Sequence, residues 1–189
     1  MPAYNAADHI RKTLDSIKQQ TFTDYELIVV CDSCTDNTIE IAREYTDKVF
    51  EVNYHHSGYT RNKGLDEAQG EYVLFIDDDD WYLHEYVFTQ LDNKLREKFS
   101  PDILYFAFIF KGITYSNPEG GNYLPAFWNK CWKRRFIQDI RVEGEDTYEA
   151  DVEFQDKALA KNPTIIEWNM PLYYYNYMRP GSMSDKRGS

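Results

Sequence analysis

The chain has 189 residues, with 21 Lys and Arg against 32 Asp and Glu, a net charge of −11 and a sequence pI near 4.8. One domain accounts for that length, and 42% hydrophobic with 28% charged residues are globular proportions, so disorder, collagen and coiled coil are excluded. The acidic balance disfavours nucleic acid as a partner, since that class needs a basic field, and the longest apolar run, Ile103 to Phe110, is too short to span a bilayer.

In chain order, Asn5 is placed to cap a helix whose apolar positions Ile10, Leu14 and Ile17 share one face. Tyr25 to Val30 reads as a buried parallel strand. A polar turn, Asp32 to Asp36, precedes a helix with Ile39, Ala42 and Tyr45 on its buried side. Lys48 to Val52 predicts a short strand, Gly58 to Ala68 a loop and helix, and Glu71 to Ile76 a strand running into four aspartates. Helices are expected over Leu83 to Lys98, Phe127 to Ile137 and Asp151 to Lys161. Ile103 to Phe110 reads as a strand, Ser116 to Gly121 as a turn, and Pro171 to Ser184 as an irregular aromatic end. Alternating helices and strands predict an α/β domain with a mainly parallel sheet, whose ligands sit beyond the carboxyl ends of the strands. The polar segments after Val30 and after Ile76 occupy such ends.

Cys31 and Cys34 form a C-x-x-C. A redox pair is the sharper reading and two small residues at a strand end the plainer one. With Cys131 the only other cysteine and no cationic-then-apolar start, a reducing cytoplasm is the expected setting. Asp77, Asp78, Asp79 and Asp80 carry the strongest chemical signal. Adjacent carboxylates repel one another, and folding gives no reason to gather them. A divalent cation does. In an extended segment Asp77 and Asp79 share a side, and such oxygens suit Mg²⁺ or Mn²⁺ shared with substrate phosphates. The plainer reading is a solvated acidic turn.

The motifs also fall into a known order. Pro2-Ala3-Tyr4-Asn5, the stretch Ser16 to Glu26, Asp32 to Thr38, Arg61-Asn62-Lys63-Gly64-Leu65 with Ala68-Gln69-Gly70-Glu71, Phe75 to Trp81 with its D-x-D, and Met170 to Ser184 together resemble family 2 glycosyltransferases, inverting enzymes of the GT-A fold. The resemblance covers almost the whole chain and implies one GT-A domain, Rossmann-like and flanked by helices. Its nucleotide part would span about 1–80 and its acceptor part about 81–189. It implies transfer of a sugar from a nucleotide-diphospho-sugar, UDP-sugar favoured, to a glycan or lipid-linked hydroxyl. Pro2, Ala3 and Tyr4 would line the base pocket, and Asp32 would contact the nucleoside. Arg61, Asp78 and Arg179 would lie near the nucleotide or diphosphate. Asp77 and Asp79 would hold the metal, Asp79 chiefly, with Asp80 near the donor sugar. The family's base sits in an E-D-x-x-F-type segment, which Asp151-Val152-Glu153-Phe154 matches, so Asp151 is the candidate base and Asp146 its competitor.

Two departures stand out. The apolar strand that precedes P-x-Y-N in the family is missing here, which would leave central edges unpaired; an upstream start, a truncation or closure by a homodimer would each account for it. Ala150 stands where the family often has Glu. Both motivate the alternative of an inactive GT-A domain that binds nucleotide or glycan without transfer. Trp81, Trp128 and Trp132 are sugar-stacking candidates with the core as the commoner fate. Lys130, Lys133, Arg134 and Arg135 form a basic patch, read as an exposed helix face or a peripheral contact with an anionic acceptor or the inner membrane surface.

Overall fold

The computed structural model describes residues 1–97, 100–116, 124–144 and 148–176. Its first part is a parallel three-stranded sheet, β1 (Pro2–Ala3), β2 (Val29–Asp32) and β3 (Val49–Val52), in the order β1-β2-β3. Every residue of β2 is buried, as a central parallel strand requires. Helix α1 (Ile10–Lys18) lays Ile10, Thr13, Leu14 and Ile17 on its buried face, a spacing of three and four residues. Helix α2 (Thr38–Arg43) buries Ile41 and Ala42 on the same core. Helix α3 (Ser57–Glu67) leads to β4 (Tyr72–Leu74), which ends at the aspartates.

The second part is a six-stranded, largely antiparallel sheet. It comprises β4, β5 (Trp81–Tyr82), β6 (Ile103–Phe110), β7 (Ile113–Tyr115), β8 (Lys130–Lys133) and β9 (Ile165–Tyr174), in the order β4-β8-β6-β9-β5 with β7 on β6. Of its ladders only β6 with β9 is parallel. Helix α4 (Val87–Glu97) buries Val87, Leu91 and Leu95. Helix α5 (Tyr148–Leu159) packs Ala150, Phe154 and Ala158 on Leu65, Phe75 and Trp132.

Several expectations change. The sheet is parallel in its first part only. The first strand, expected to be missing or truncated, is a two-residue stub extended by Met1, whose carbonyl accepts from Val30 N at 2.9 Å and whose amine donates to Ile28 O at 2.9 Å. Burial, then Arg61, pushes that amine down to about 5. Among the described residues no ladder joins β1 to β4; a cavity of about 400 Å³ lies there, walled by Met1, Leu27, Ile28, Tyr72 and Leu74.

Asn5 does not cap α1. It adopts a left-handed conformation (φ 45°) and its Oδ1 accepts from Thr35 N at 2.8 Å, tying the P-x-Y-N loop to the loop after β2. Residues 130–133 form a strand rather than a helix, because they fill the place between β4 and β6 where both faces are covered. The basic patch dissolves with that change. Lys130 is fully buried, and Lys133 reaches Ser100 O at 2.8 Å. Trp128 and Trp132 are core residues. Residues 165–174 form a long strand, with Pro171 beside a register shift, the irregular position where proline is tolerated. No helix among the described residues is long and apolar enough to cross a membrane.

Candidate functional site

The carboxyl ends of β2 and β4 lie close to the P-x-Y-N loop and α3. At the β2 end, Asp32 is buried. Its Oδ1 accepts from Ser33 Oγ (2.8 Å), Tyr54 N (2.8 Å) and His55 N (3.0 Å), and its Oδ2 from His56 N and Thr60 Oγ1, both at 2.9 Å. Burial alone would raise this carboxyl, but the donors outweigh it and hold it below the usual carboxylate range. The carboxylate is thereby spent on shaping the loop after β3 and the start of α3, which differs from an expected open contact to a nucleoside.

At the β4 end the four aspartates make a turn, with Asp80 N donating to Asp77 O at 3.3 Å, so strand alternation does not orient them. Asp77, Asp78 and Asp79 are half-buried and Asp80 fully buried. Asp77 Oδ1 accepts from Arg61 Nη2 at 2.7 Å, and Arg61 Nη1 also donates to Ser57 Oγ at 3.0 Å. Asp78 Oδ2 accepts from Tyr4 N at 3.2 Å, and its carbonyl accepts from Thr13 Oγ1 at 2.8 Å. Tyr4 itself is exposed, Ala3 is buried, and Pro2 lies in β1. Both oxygens of Asp80 are taken: Oδ2 by Tyr173 Oη at 2.6 Å and Oδ1 by Asn176 N at 2.7 Å. Burial, then Asp77 and Asp79, raises the Asp80 carboxyl well above its ordinary range. Asp80 therefore fastens the end of β9 beneath the turn instead of facing a donor sugar.

Asp151 lies in the first turn of α5 with Glu149, where the helix dipole favours carboxylates. It is not the N-cap, since α5 begins three residues earlier than the pattern suggests. Ala150 is buried against Leu65 and Phe154, so a small residue suits the packing there. The Arg61 guanidinium lies 5.0 Å over the Phe127 ring, and Phe127 packs 4.8 Å from Phe154, one turn beyond Asp151. Lys130, on β8, donates to Leu124 O and Gln155 Oε1 at 2.9 Å and to Ala126 O. Burial drives its ammonium well below the usual lysine range, and the charge of Asp151 partly offsets this. Asp146 and Arg179 lie outside the described residues. Cys31 is buried beside β1, and Cys34 Sγ sits 3.5 Å from Ala3 O.

Three further residues contribute to the site. His56 is the N-cap of α3, accepting from Tyr59 N at 3.2 Å. Asn62 and Gly58 both meet Val142. Asn62 sits inside the R-N-x-G-L motif, so the signal was present without its contact.

For a divalent cation, Asp77 and Asp79 offer oxygen donors only. Among the described residues no group of three or more His, Cys, Asp or Glu gathers to hold a metal alone. Two carboxylates fit an ion that completes its shell with water and diphosphate oxygens.

A family model described as "Glycosyl transferase family 2" matches residues 1–140. The chain belongs to glycosyl transferase family 2. It is 30% identical to "Glycosyltransferase GlyA" of Streptococcus pneumoniae serotype 4, over 97% of this chain and 31% of that protein. A crystal structure of Staphylococcus aureus TarS 1–349 in complex with UDP superposes with TM-score 0.79 at 25% identity, over 92% of this chain and 58% of the other. Glucosyl-3-phosphoglycerate synthase of Mycobacterium tuberculosis, solved with Mn²⁺ and UDP-glucose, shares the fold at TM-score 0.73 and 18% identity, over 99% of this chain and 72% of the other. The fold is thus that of the GT-A enzymes. The chain spans only part of the length of GlyA and TarS.

Proposed function

We propose that this family 2 chain transfers a sugar from a nucleotide-diphospho-sugar to an acceptor hydroxyl, with UDP-sugars as donors and inversion at the anomeric carbon. In this reading residues 1–80 hold the donor and residues 81–189 the acceptor. One observation carries the proposal. Arg61 bonds the first aspartate of the β4 turn and stacks on Phe127, which packs against the helix bearing Asp151. Donor-side charges and the candidate base are thereby joined through one packed path. TarS supplies support for UDP as the nucleotide.

Asp77 and Asp79 would hold Mn²⁺ or Mg²⁺ at the β4 turn. When bound, such a cation would supply charge neutralisation at the departing phosphate oxygen. Pro2, Ala3 and Tyr4 form the wall against the base, Asp32 keeps the loop after β3 in place, and Asp78 fixes Tyr4. Asp151 takes the acceptor proton. The acceptor oxygen forms a bond to the anomeric carbon as the bond to the diphosphate oxygen breaks, and the nucleoside diphosphate leaves with that electron pair. The proton then passes from Asp151 to solvent. The acceptor belongs to the glycan or lipid-linked class, and a peripheral membrane position follows only if it is lipid-linked.

The test is UDP release from UDP-GlcNAc and UDP-glucose with Mn²⁺, with NMR of the product's anomeric proton. Turnover with inversion that falls about 10²–10⁴-fold in Asp151→Asn is the expected result. Retention, or wild-type turnover in Asp151→Asn, would overturn the assignment.

A further inference from the structure

Residues 141–144 touch both the donor-side helix α3 and the base helix α5. From α3, Asn62 Nδ2 donates to Val142 O at 2.8 Å and Asn62 Oδ1 accepts from Val142 N at 3.0 Å, a reciprocal pair on one residue's main chain. His56 Nε2 bonds Gly144 O at 2.9 Å, and Tyr59 Oη donates to Glu143 O at 3.4 Å. Asp66 accepts from Arg141 Nη2 at 2.6 Å. The approach is so close that a Cβ on Gly58 would sit 2.4 Å from Val142 Cγ1, so only glycine fits there. From α5, Lys157 Nζ donates to Arg141 O at 3.2 Å and to Glu143 Oε2 at 2.8 Å. A Cβ on Gly144 would sit 2.9 Å from Glu153 Oε2. Val142 is buried among Leu65 of α3 and Ala150 and Phe154 of α5.

These contacts fall on the side of α3 that carries Asn62, while the neighbouring Arg61 reaches Asp77. We infer that residues 141–144 are a positioning strap that fixes α5, and so Asp151, against the donor side, with Asn62 as its fixing point. The inference rests on Asp151 being the base, as proposed above. Asn62 touches neither reacting atom; it acts by holding the strap. The polar pair is specific in a way apolar packing is not. Both the donor and the acceptor of the amide are used on Val142, so a shift of the strap along α3 would break both bonds at once. A misplacement of about 1 Å is enough to cost about 10²-fold in rate.

The experiment compares wild type, Asn62→Ala, Lys157→Met and the double variant. UDP affinity with Mn²⁺, kcat for UDP release from UDP-GlcNAc, and amide hydrogen exchange are measured on each. Asn62→Ala should lower kcat about 10–100-fold while UDP affinity stays within about twofold. Exchange should rise over 141–144 and 148–159 but not over 29–32. The double variant should be little worse than the poorer single one, because both residues act through one strap. Unchanged kcat in Asn62→Ala, parallel loss of UDP affinity, or losses that multiply in the double variant would overturn the inference. If Asn62→Ala fails to fold, half-exposed Lys157 provides the same readouts from the other side. Should the wild type itself show no turnover, the proposed base falls, and the spread of exchange from Asn62 to α5 still decides the strap.

Discussion

The acidic ends of β2 and β4 place the same side chain at the same kind of position, with opposite outcomes. Asp32 is closed. Five protein donors saturate its carboxylate, and its charge is spent on the loop after β3. The β4 turn is more open. Asp77, Asp78 and Asp79 stay half-buried, with Asp77 bonded by Arg61 and Asp78 by Tyr4 N, whereas Asp80 beneath them is fully buried with both oxygens taken by Tyr173 and Asn176. Motif position alone does not distinguish these two ends; burial of the carboxylate and the donors already committed to it do.

Substitutions should break that symmetry. The largest effect is expected at the open end, where Asp79→Ala should weaken Mn²⁺-dependent UDP binding by at least about 100-fold, close to 3 kcal/mol, with little change in urea midpoint. At the closed end Asp32→Ala should do the reverse in kind. Stranding several buried N–H and O–H donors costs stability, about 3 kcal/mol, read as a lower urea midpoint, and UDP affinity should follow only as the fold loosens. Tyr173→Phe is milder. It leaves Asp80 Oδ2 without its hydroxyl donor and should cost about 1–2 kcal/mol of stability.

The smallest effect is a pH dependence. Asp32 has a folded pKa below its unfolded one, so its stabilising contribution is present above the unfolded value and lost as pH falls toward the folded one. The stability gap between wild type and Asp32→Asn should therefore be full above about pH 5 and shrink below about pH 4. A gap that widens on acidification would contradict the closed-carboxylate account.

The same contrast explains what could be read from the sequence. The first part was more legible because its signals are local: α1 by the spacing of Ile10, Leu14 and Ile17, β3 nearly to the residue, and the aspartates by their run, although α3 is helical from Ser57 where a loop was expected first and β2 spans Val29–Asp32 instead of Tyr25 to Val30. The second part was less so. Residues 130–133 read as helix because Lys130, Lys133 and Arg134 suggest an exposed face. Their strand is set by neighbours about 30 and 60 residues away in β6 and β4, and the lysines are satisfied by carbonyls that no local pattern announces. Asp80 looked like its three neighbours, yet its partners Tyr173 and Asn176 come from the far end of the described chain. Asn62 was visible as a motif letter, while Val142, which gives it meaning, lies 80 residues on. Local periodicity is readable in one pass; long-range polar pairing is not.

The most direct test of the central claim is calorimetric titration of the purified protein with UDP, with and without Mn²⁺, beside Asp79→Ala. Binding that requires Mn²⁺ and disappears in Asp79→Ala is the predicted result. UDP binding that is indifferent to the cation and survives in Asp79→Ala would contradict the assignment of the β4 turn as the donor's metal site.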